Sequence, residues 1–147
     1  MEQRDYRSSI SSRLPPAEAV ERIGRVSDWW TRGVTGSARE TGDTFQVRWG
    51  ETFVDFAVAE SVPNARIVWQ VTDCNLPWLK HNKKEWNDTR VVWEVVPRAA
   101  GSTVTLTHSG LTPEAECYGT CEAGWNFYFG KSLLKLLEED QGLPDGK

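Results

Sequence analysis

The segment from Thr107 to Leu137 constrains the fold of this chain more than any other stretch. It starts as the end of a strand, in which apolar and hydroxyl residues alternate up to Ser109. Thr112 is predicted to cap a helix that has Pro113 at its first position and runs to about Glu139. A helix of roughly seven turns must pack its apolar face against an equally long surface of another element. Its apolar face is predicted to carry Cys117, Cys121, Trp125, Tyr128, Phe129, Leu133, Leu136 and Leu137.

Hydrophobic periodicity predicts the elements upstream of this helix. A threefold spacing indicates a short helix over 17–23, and Ser27–Thr31 is predicted to form a second one. Twofold alternation predicts strands at residues 6–12, 45–49, 52–60, 67–72, 89–96 and 102–109. Residues 73–87 keep no period and are predicted to form a long loop. The expected fold is therefore α+β, with a curved antiparallel sheet of about six or seven strands wrapped around the C-terminal helix.

Size and charge narrow the class of protein. A chain of 147 residues is expected to form a single domain, 1–147, with a core from about 6 to 144. With 17 basic against 21 acidic residues, the net charge of -4 disfavours a nucleic-acid partner. No segment approaches the ~20 apolar residues that cross a bilayer, so no membrane span is expected. Three cysteines favour free thiols, and a cytoplasmic location is expected.

Several short motifs resemble those of a known superfamily. They are Asn75-Leu76-Pro77-Trp78, Glu85-Trp86-Asn87-Asp88-Thr89, Thr107-His108-Ser109-Gly110-Leu111, Glu116-Cys117 with Cys121, and the run from Gly124 to Leu133. Together with the order of elements, they are similar to the START-like superfamily (SRPBCC, helix-grip fold), and within it to the branch of homologues of the activator of heat-shock-protein-90 ATPase. The resemblance covers Tyr6 to Pro144. It implies a helix-grip fold and three alternative roles: a ligand binder, a co-chaperone-like interaction module, or a polyketide cyclase/aromatase-type enzyme.

The abundance of large aromatic residues points to a cavity. Eight Trp, five Phe and three Tyr are more bulky rings than a packed core needs, unless some face a hollow or a partner. Core packing is expected to take most of them, and tryptophans on loops and short helices to form a pocket mouth. The predicted ligand-binding residues are Trp29, Trp30, Trp49, Phe56, Trp69, Trp78, Trp86, Trp93, His108, Tyr118, Trp125 and Phe129. His108 is interpreted either as a base or ligand-orienting donor, or as a buried histidine bonded to the backbone or to Tyr118.

Other candidate sites have simpler alternatives. Cys117 and Cys121 lie near the predicted helix start, which would lower a thiol pKa, but packed core residues are favoured over a metal or redox pair. The basic stretch 80–84 could attract an anion or an acidic partner, or be a solvated loop. The carboxylates that could form an acid–base pair, if they faced one cavity, are Asp55, Asp73, Glu85 and Glu94.

No catalytic motif supports an enzyme. The sequence has no nucleophile elbow, no phosphate-binding loop and no Ser/His/Asp pattern, so no catalytic residue, metal or cofactor is predicted. The leading hypothesis is a binder of a small hydrophobic or aromatic ligand between sheet and C-terminal helix. A protein partner belongs to the co-chaperone-like alternative.

Overall fold

The computed structural model describes residues 5–146, so residues 1–4 and 147 of the predicted domain lie outside it. The strands are β1 (Tyr6–Ser12), β2 (Val34–Gly36), β3 (Thr44–Trp49), β4 (Thr52–Val62), β5 (Arg66–Asn75), β6 (Arg90–Arg98) and β7 (Gly101–Ser109). The helices are α1 (Pro16–Ile23), α2 (Val26–Trp29), α3 (Tyr118–Phe127) and α4 (Leu134–Glu139), with a π-helical turn at Tyr128–Leu133 and a 3-10 turn at Pro144–Gly146.

All seven strands form one antiparallel sheet in the order β1-β7-β6-β5-β4-β3-β2. The first strand pairs with the last, so that Tyr6 lies opposite His108. Irregular pairing between β4 and β5, at Asp55/Phe56 and at Val58/Glu60, breaks the register twice. Because a bulge bends and twists the strand that carries it, these irregularities favour a curved sheet.

The closing helix, made of α3, the π-helical turn and α4, packs against this sheet. Phe129 of the helix lies against Trp93 of β6, with ring centroids 5.9 Å apart, and both side chains are fully buried. Trp69 of β5 contacts Trp93 from the neighbouring strand. The predicted α+β helix-grip fold is confirmed, including the two short helices after the first strand.

The closing helix starts later than predicted. Residues 113–117 form turns, and α3 begins only at Tyr118. The carboxylate of Glu85, from a distant loop, accepts hydrogen bonds from the backbone N–H groups of Glu116 and Cys117 at 2.8 and 2.9 Å. In a helix that started at Pro113, the N–H groups of Glu116 and Cys117 would bond to the carbonyl oxygens of residues 112 and 113. Here they bond to the Glu85 carboxylate instead, in the turn before the helix. The prediction of Thr112 as the helix cap is therefore wrong.

Strands β2 and β5 also differ from prediction. Residues 34–36 were expected in a loop but form the short edge strand β2, in which Val34 lies opposite Val47. A three-residue strand is too short for twofold alternation to reveal it. In addition, β5 extends to Asn75, and Asp73 pairs with Asp55, so the loop between β5 and β6 starts at Leu76.

Within residues 5–146, no helix combines the length and the apolar character needed to cross a membrane.

Candidate functional site

A pocket of about 280 Å³ opens to solvent between one end of the sheet and the first half of the closing helix. Four segments build its wall: the end of α2, strands β3 and β4, the loop between β5 and β6, and the face of α3 that continues into the π-helical turn. The lining residues are Trp30, Trp49, Thr52, Val54, Leu76, Trp78, Trp86, Thr120, Cys121, Gly124, Trp125 and Tyr128.

Indole rings form most of this wall. Trp30, Trp86 and Trp125 are buried, whereas Trp78 is 45% exposed at the rim. Trp30 contacts both Trp125 and Trp49, with ring centroids 4.9 and 5.6 Å apart. The rings of Trp86 and Trp125 are parallel to within 8°, with centroids 6.1 Å apart. The pocket therefore offers both faces and edges of aromatic rings, the surfaces on which another aromatic ring stacks or packs edge-on.

Gly124 keeps the helical side of the pocket open. It lies on α3 next to Trp125, and a Cβ atom built on it would meet no heavy atom within 4 Å. Glycine inside a helix costs about 1 kcal/mol relative to alanine. Here the missing side chain leaves space that a larger residue would fill.

Two carboxylates hold the loop that carries Leu76, Trp78 and Trp86. The Glu116 carboxylate accepts hydrogen bonds from the backbone N–H groups of residues 80–82, at 3.0 to 3.2 Å for the shortest contact of each. Burial raises the pKa of Glu116, but these N–H groups outweigh it and leave the pKa below its ordinary value. Together with the Glu85 bonds to the turn before α3, they join the loop to the closing helix.

Two basic side chains of this loop have local partners. Lys84 Nζ lies 2.9 Å from Asp73 Oδ1, and Lys83 Nζ donates to the carbonyl oxygen of Leu79 at 2.6 Å. The salt bridge raises the pKa of Lys84, despite the opposing effect of burial, and lowers the pKa of Asp73. None of these charged groups is among the described residues that line the pocket.

His108 lies behind the pocket and is fully buried. Its Nδ1 atom accepts a hydrogen bond from the indole N–H of Trp125 at 3.1 Å, and its Nε2 atom lies 2.9 Å from Thr89 Oγ1. Burial lowers the pKa of His108 from 6.5 to about 3, so the ring is neutral near pH 7. The hydrogen-bond partners are Trp125 and Thr89, not the backbone or Tyr118 as the sequence suggested.

The cysteines behave as packed residues. All three are free thiols, and their side chains are buried. A hydrogen bond with Cys121, together with burial, raises the pKa of the Cys117 thiol, contrary to the lowered value expected at a helix start. Within residues 5–146, no group of three or more His, Cys, Asp or Glu side chains could hold a metal ion.

The predicted ligand-binding residues divide into two sets. Those on the pocket are Trp30, Trp49, Trp78, Trp86 and Trp125. Those that do not line it are Tyr118, which is half-buried at the start of α3, and six residues buried in the core: Trp29, Phe56, Trp69, Trp93, His108 and Phe129. Trp29 was expected at the pocket mouth and Trp69 and Trp93 around the hollow, but they pack against other aromatic rings of the core.

The predicted acidic candidates do not meet in one cavity. Glu94 lies near Arg66, Asp55 accepts a hydrogen bond from Gln46, and neither carboxylate is part of the pocket wall. Sequence reasoning missed part of that wall, namely Thr52, Val54, Leu76, Thr120, Cys121, Gly124 and Tyr128. One signal was available: positions 120, 121, 124, 125 and 128 have the spacing of a single helix face.

This combination of a curved sheet, a closing helix and an aromatic pocket between them defines the START-like, helix-grip class of protein. Residues 18–138 match the family described as Activator of Hsp90 ATPase homolog 1-like protein. The chain therefore belongs to this family.

Solved structures share this fold. The Aha1 dimer from Colwellia psychrerythraea is 21% identical, with a TM-score of 0.72 over 97% of this chain and 100% of that one. An AHSA1-like protein from Rhizobium etli is 22% identical, with a TM-score of 0.64 over 98% and 88% of the two chains. DynU16, from the dynemicin biosynthetic locus, is 22% identical, with a TM-score of 0.70 over 94% of this chain and 48% of that one. No curated protein matches this chain.

Proposed function

We propose that this protein binds a small, uncharged aromatic molecule in the tryptophan-lined pocket. The observation that carries the proposal is the convergence of five indoles on one solvent-open pocket of about 280 Å³. Burying about 200 Å² of apolar ligand surface contributes about 5 kcal/mol, and stacking on indole rings adds to it.

The composition of the wall favours binding over catalysis. Apart from indole N–H groups, its polar side-chain groups are the hydroxyls of Thr52, Thr120 and Tyr128 and the thiol of Cys121. No carboxylate or imidazole is among the described lining residues. General acid–base catalysis needs a group that exchanges protons near the working pH. The pKa of Tyr128 is raised by burial, which moves it further from neutrality.

A co-chaperone-like interaction module has less support. Such a role calls for a contiguous exposed apolar surface. Among residues 5–146, the exposed large hydrophobic side chains are those of Val62, Trp78 and Val96. Trp78 belongs to the pocket rim, whereas Val62 and Val96 lie near the ends of β4 and β6. Ligand binding is the function that the geometry supports best.

A pocket-filling substitution tests the proposal. Gly124→Leu places a side chain into the pocket from a position where a Cβ atom has free space, and Gly119→Leu is the matched control on the same helix, also in free space but outside the pocket wall. Binding of the uncharged probe N-phenyl-1-naphthylamine is measured by its fluorescence. Gly119→Leu should bind like the wild type, and Gly124→Leu should bind at least about tenfold more weakly.

Native mass spectrometry of freshly purified protein complements this measurement by showing whether a ligand is carried along. Equal probe binding by Gly124→Leu and the wild type would place the site elsewhere. Failure of the wild-type protein to bind the probe or any ligand from metabolite extracts would refute the proposal.

A further inference from the structure

His108 is not among the described residues that line the pocket, but it contacts two of the lining indoles from the core side. The imidazole lies edge-to-face against Trp86, with ring centroids 4.5 Å apart and planes at 86°. It also bonds to the indole of Trp125 through Nδ1. One buried side chain therefore touches both of the parallel indoles of the pocket wall.

The hydrogen bonds around His108 can run in only one direction. The indole N–H of Trp125 is a donor without acceptor capacity, so Nδ1 of the neutral imidazole must accept and the proton must reside on Nε2. The Nε2–H group then donates to Thr89 Oγ1, and the Thr89 hydroxyl donates to the carbonyl oxygen of Trp86 at 2.6 Å. The chain thus starts at one pocket indole and ends at the backbone of the other.

This chain links two segments that are otherwise far apart in the sequence. Trp125 lies on α3, whereas Trp86 lies in the loop between β5 and β6. His108, on strand β7, is bonded to Trp125 through its ring and to the backbone of Trp86 through Thr89. His108 is thus bonded directly to one indole and, through Thr89, to the backbone of the other, and it is not among the described residues that line the pocket.

We propose that His108 is a positioning residue that holds Trp86 and Trp125 parallel and thereby makes the pocket selective for flat aromatic rings over puckered rings of equal size. This role rests on the proposed binding function. With centroids 6.1 Å apart, the two indoles leave no room for a third ring between them. A planar ring in the pocket therefore stacks on an exposed part of an indole face with full contact, whereas a saturated ring of the same skeleton touches that face at fewer atoms.

The test compares two uncharged probes, 2-naphthol and decahydro-2-naphthol, by isothermal titration calorimetry. The wild type should prefer the planar probe by about fivefold or more, the range that aromatic stacking supports. His108→Leu removes both hydrogen bonds and should bring the ratio of the two affinities to about one. His108→Gln retains one acceptor and one donor and should restore most of the preference. Thr89→Val, which breaks only the link to Trp86, should reduce the preference in part.

The outcomes separate this role from the binding function. If the wild type binds neither probe, the proposed function fails. If the wild type binds both and prefers 2-naphthol, but His108→Leu and Thr89→Val keep the same ratio, binding stands and the positioning role is refuted. If His108→Leu does not fold, Thr89→Val and His108→Gln still decide. The proposed hydrogen-bond chain would also be overturned if Thr89→Val kept the wild-type ratio of the two affinities while His108→Gln lost the preference for the planar probe.

Discussion

The carboxylate of Glu85 accepts a hydrogen bond from the backbone N–H of Glu116 at 2.8 Å. The Glu116 carboxylate in turn accepts hydrogen bonds from the backbone of residues 80–82. Each acid therefore binds the segment that carries the other. These two carboxylates connect the loop that holds Trp78 and Trp86 to the start of the closing helix. That loop forms one side of the pocket.

The Glu116 contacts should weaken in acid. Burial raises the pKa of Glu116, but the hydrogen bonds that its carboxylate accepts from backbone N–H groups lower the pKa by more, so that it lies below its ordinary value of 4.5. The stabilisation is therefore present above the ordinary pKa and is lost as the pH falls through the lowered one. The backbone amide signals of residues 80–82 in NMR spectra should shift with a midpoint below 4.5, and the shift should be absent in Glu116→Gln. A midpoint at or above 4.5 would contradict this reading.

His108 should make the protein less stable in mild acid. The unfolded histidine takes up a proton near pH 6.5, whereas the folded one stays neutral down to about pH 3. The free energy of unfolding should therefore fall by about 1.4 kcal/mol per pH unit within this window. Urea unfolding of wild type and His108→Gln at about pH 7 and about pH 5 isolates this contribution, which should amount to about 2 kcal/mol. If the two proteins lost the same free energy of unfolding between these pH values, His108 would have to take up its proton in the folded state as readily as in the unfolded one.

Ser132→Ala should be strongly destabilising for so small a change. The buried Ser132 hydroxyl donates to the carbonyl oxygen of Trp29 at 2.6 Å and accepts from the N–H of Leu143 at 2.7 Å. Its loss leaves two backbone groups unpaired and should cost about 2 to 4 kcal/mol in urea unfolding. The exposed Ser11→Ala should stay within about 0.5 kcal/mol of wild type. A cost below about 1 kcal/mol would mean that water replaces the hydroxyl.

Cys121 should be the first thiol to react in the native protein. It lines the solvent-open pocket, whereas Cys74 and Cys117 are buried away from it. Mass spectrometry after brief treatment with N-ethylmaleimide should find modification at Cys121 first, and Gly124→Leu should slow it by closing the pocket. Equal rates for Cys121 in both proteins would indicate that the thiol is reached by another route.

Local patterns in the sequence predict most of the fold. The alternation along residues 102–109 corresponds to β7, and the threefold spacing along 17–23 corresponds to α1. These periods are properties of a single strand or helix, so they are visible without knowledge of the partners. The family resemblance adds the helix-grip arrangement, a sheet wrapped around the C-terminal helix, and the observed fold agrees with it.

The start of the closing helix could not be predicted in this way. Thr112 and Pro113 have the chemistry of a helix start, yet the helix begins at Tyr118. The carboxylate of Glu85, 31 residues away from Glu116 along the chain, accepts hydrogen bonds from the backbone N–H groups of Glu116 and Cys117. Long-range hydrogen bonds of this kind override local capping preferences.

The sequence by itself determined that many large aromatic side chains point inward on the strands and the closing helix, and hence that the interior is rich in indole. Only the tertiary structure decided that Trp93 meets Phe129 in the packed core while Trp125 borders an open pocket. Periodicity separates the inward from the outward face of an element, but it does not say whether an inward side chain meets another side chain or empty space. That depends on how closely distant segments approach, and here the loop held by Glu116 and the missing side chain of Gly124 leave the space open.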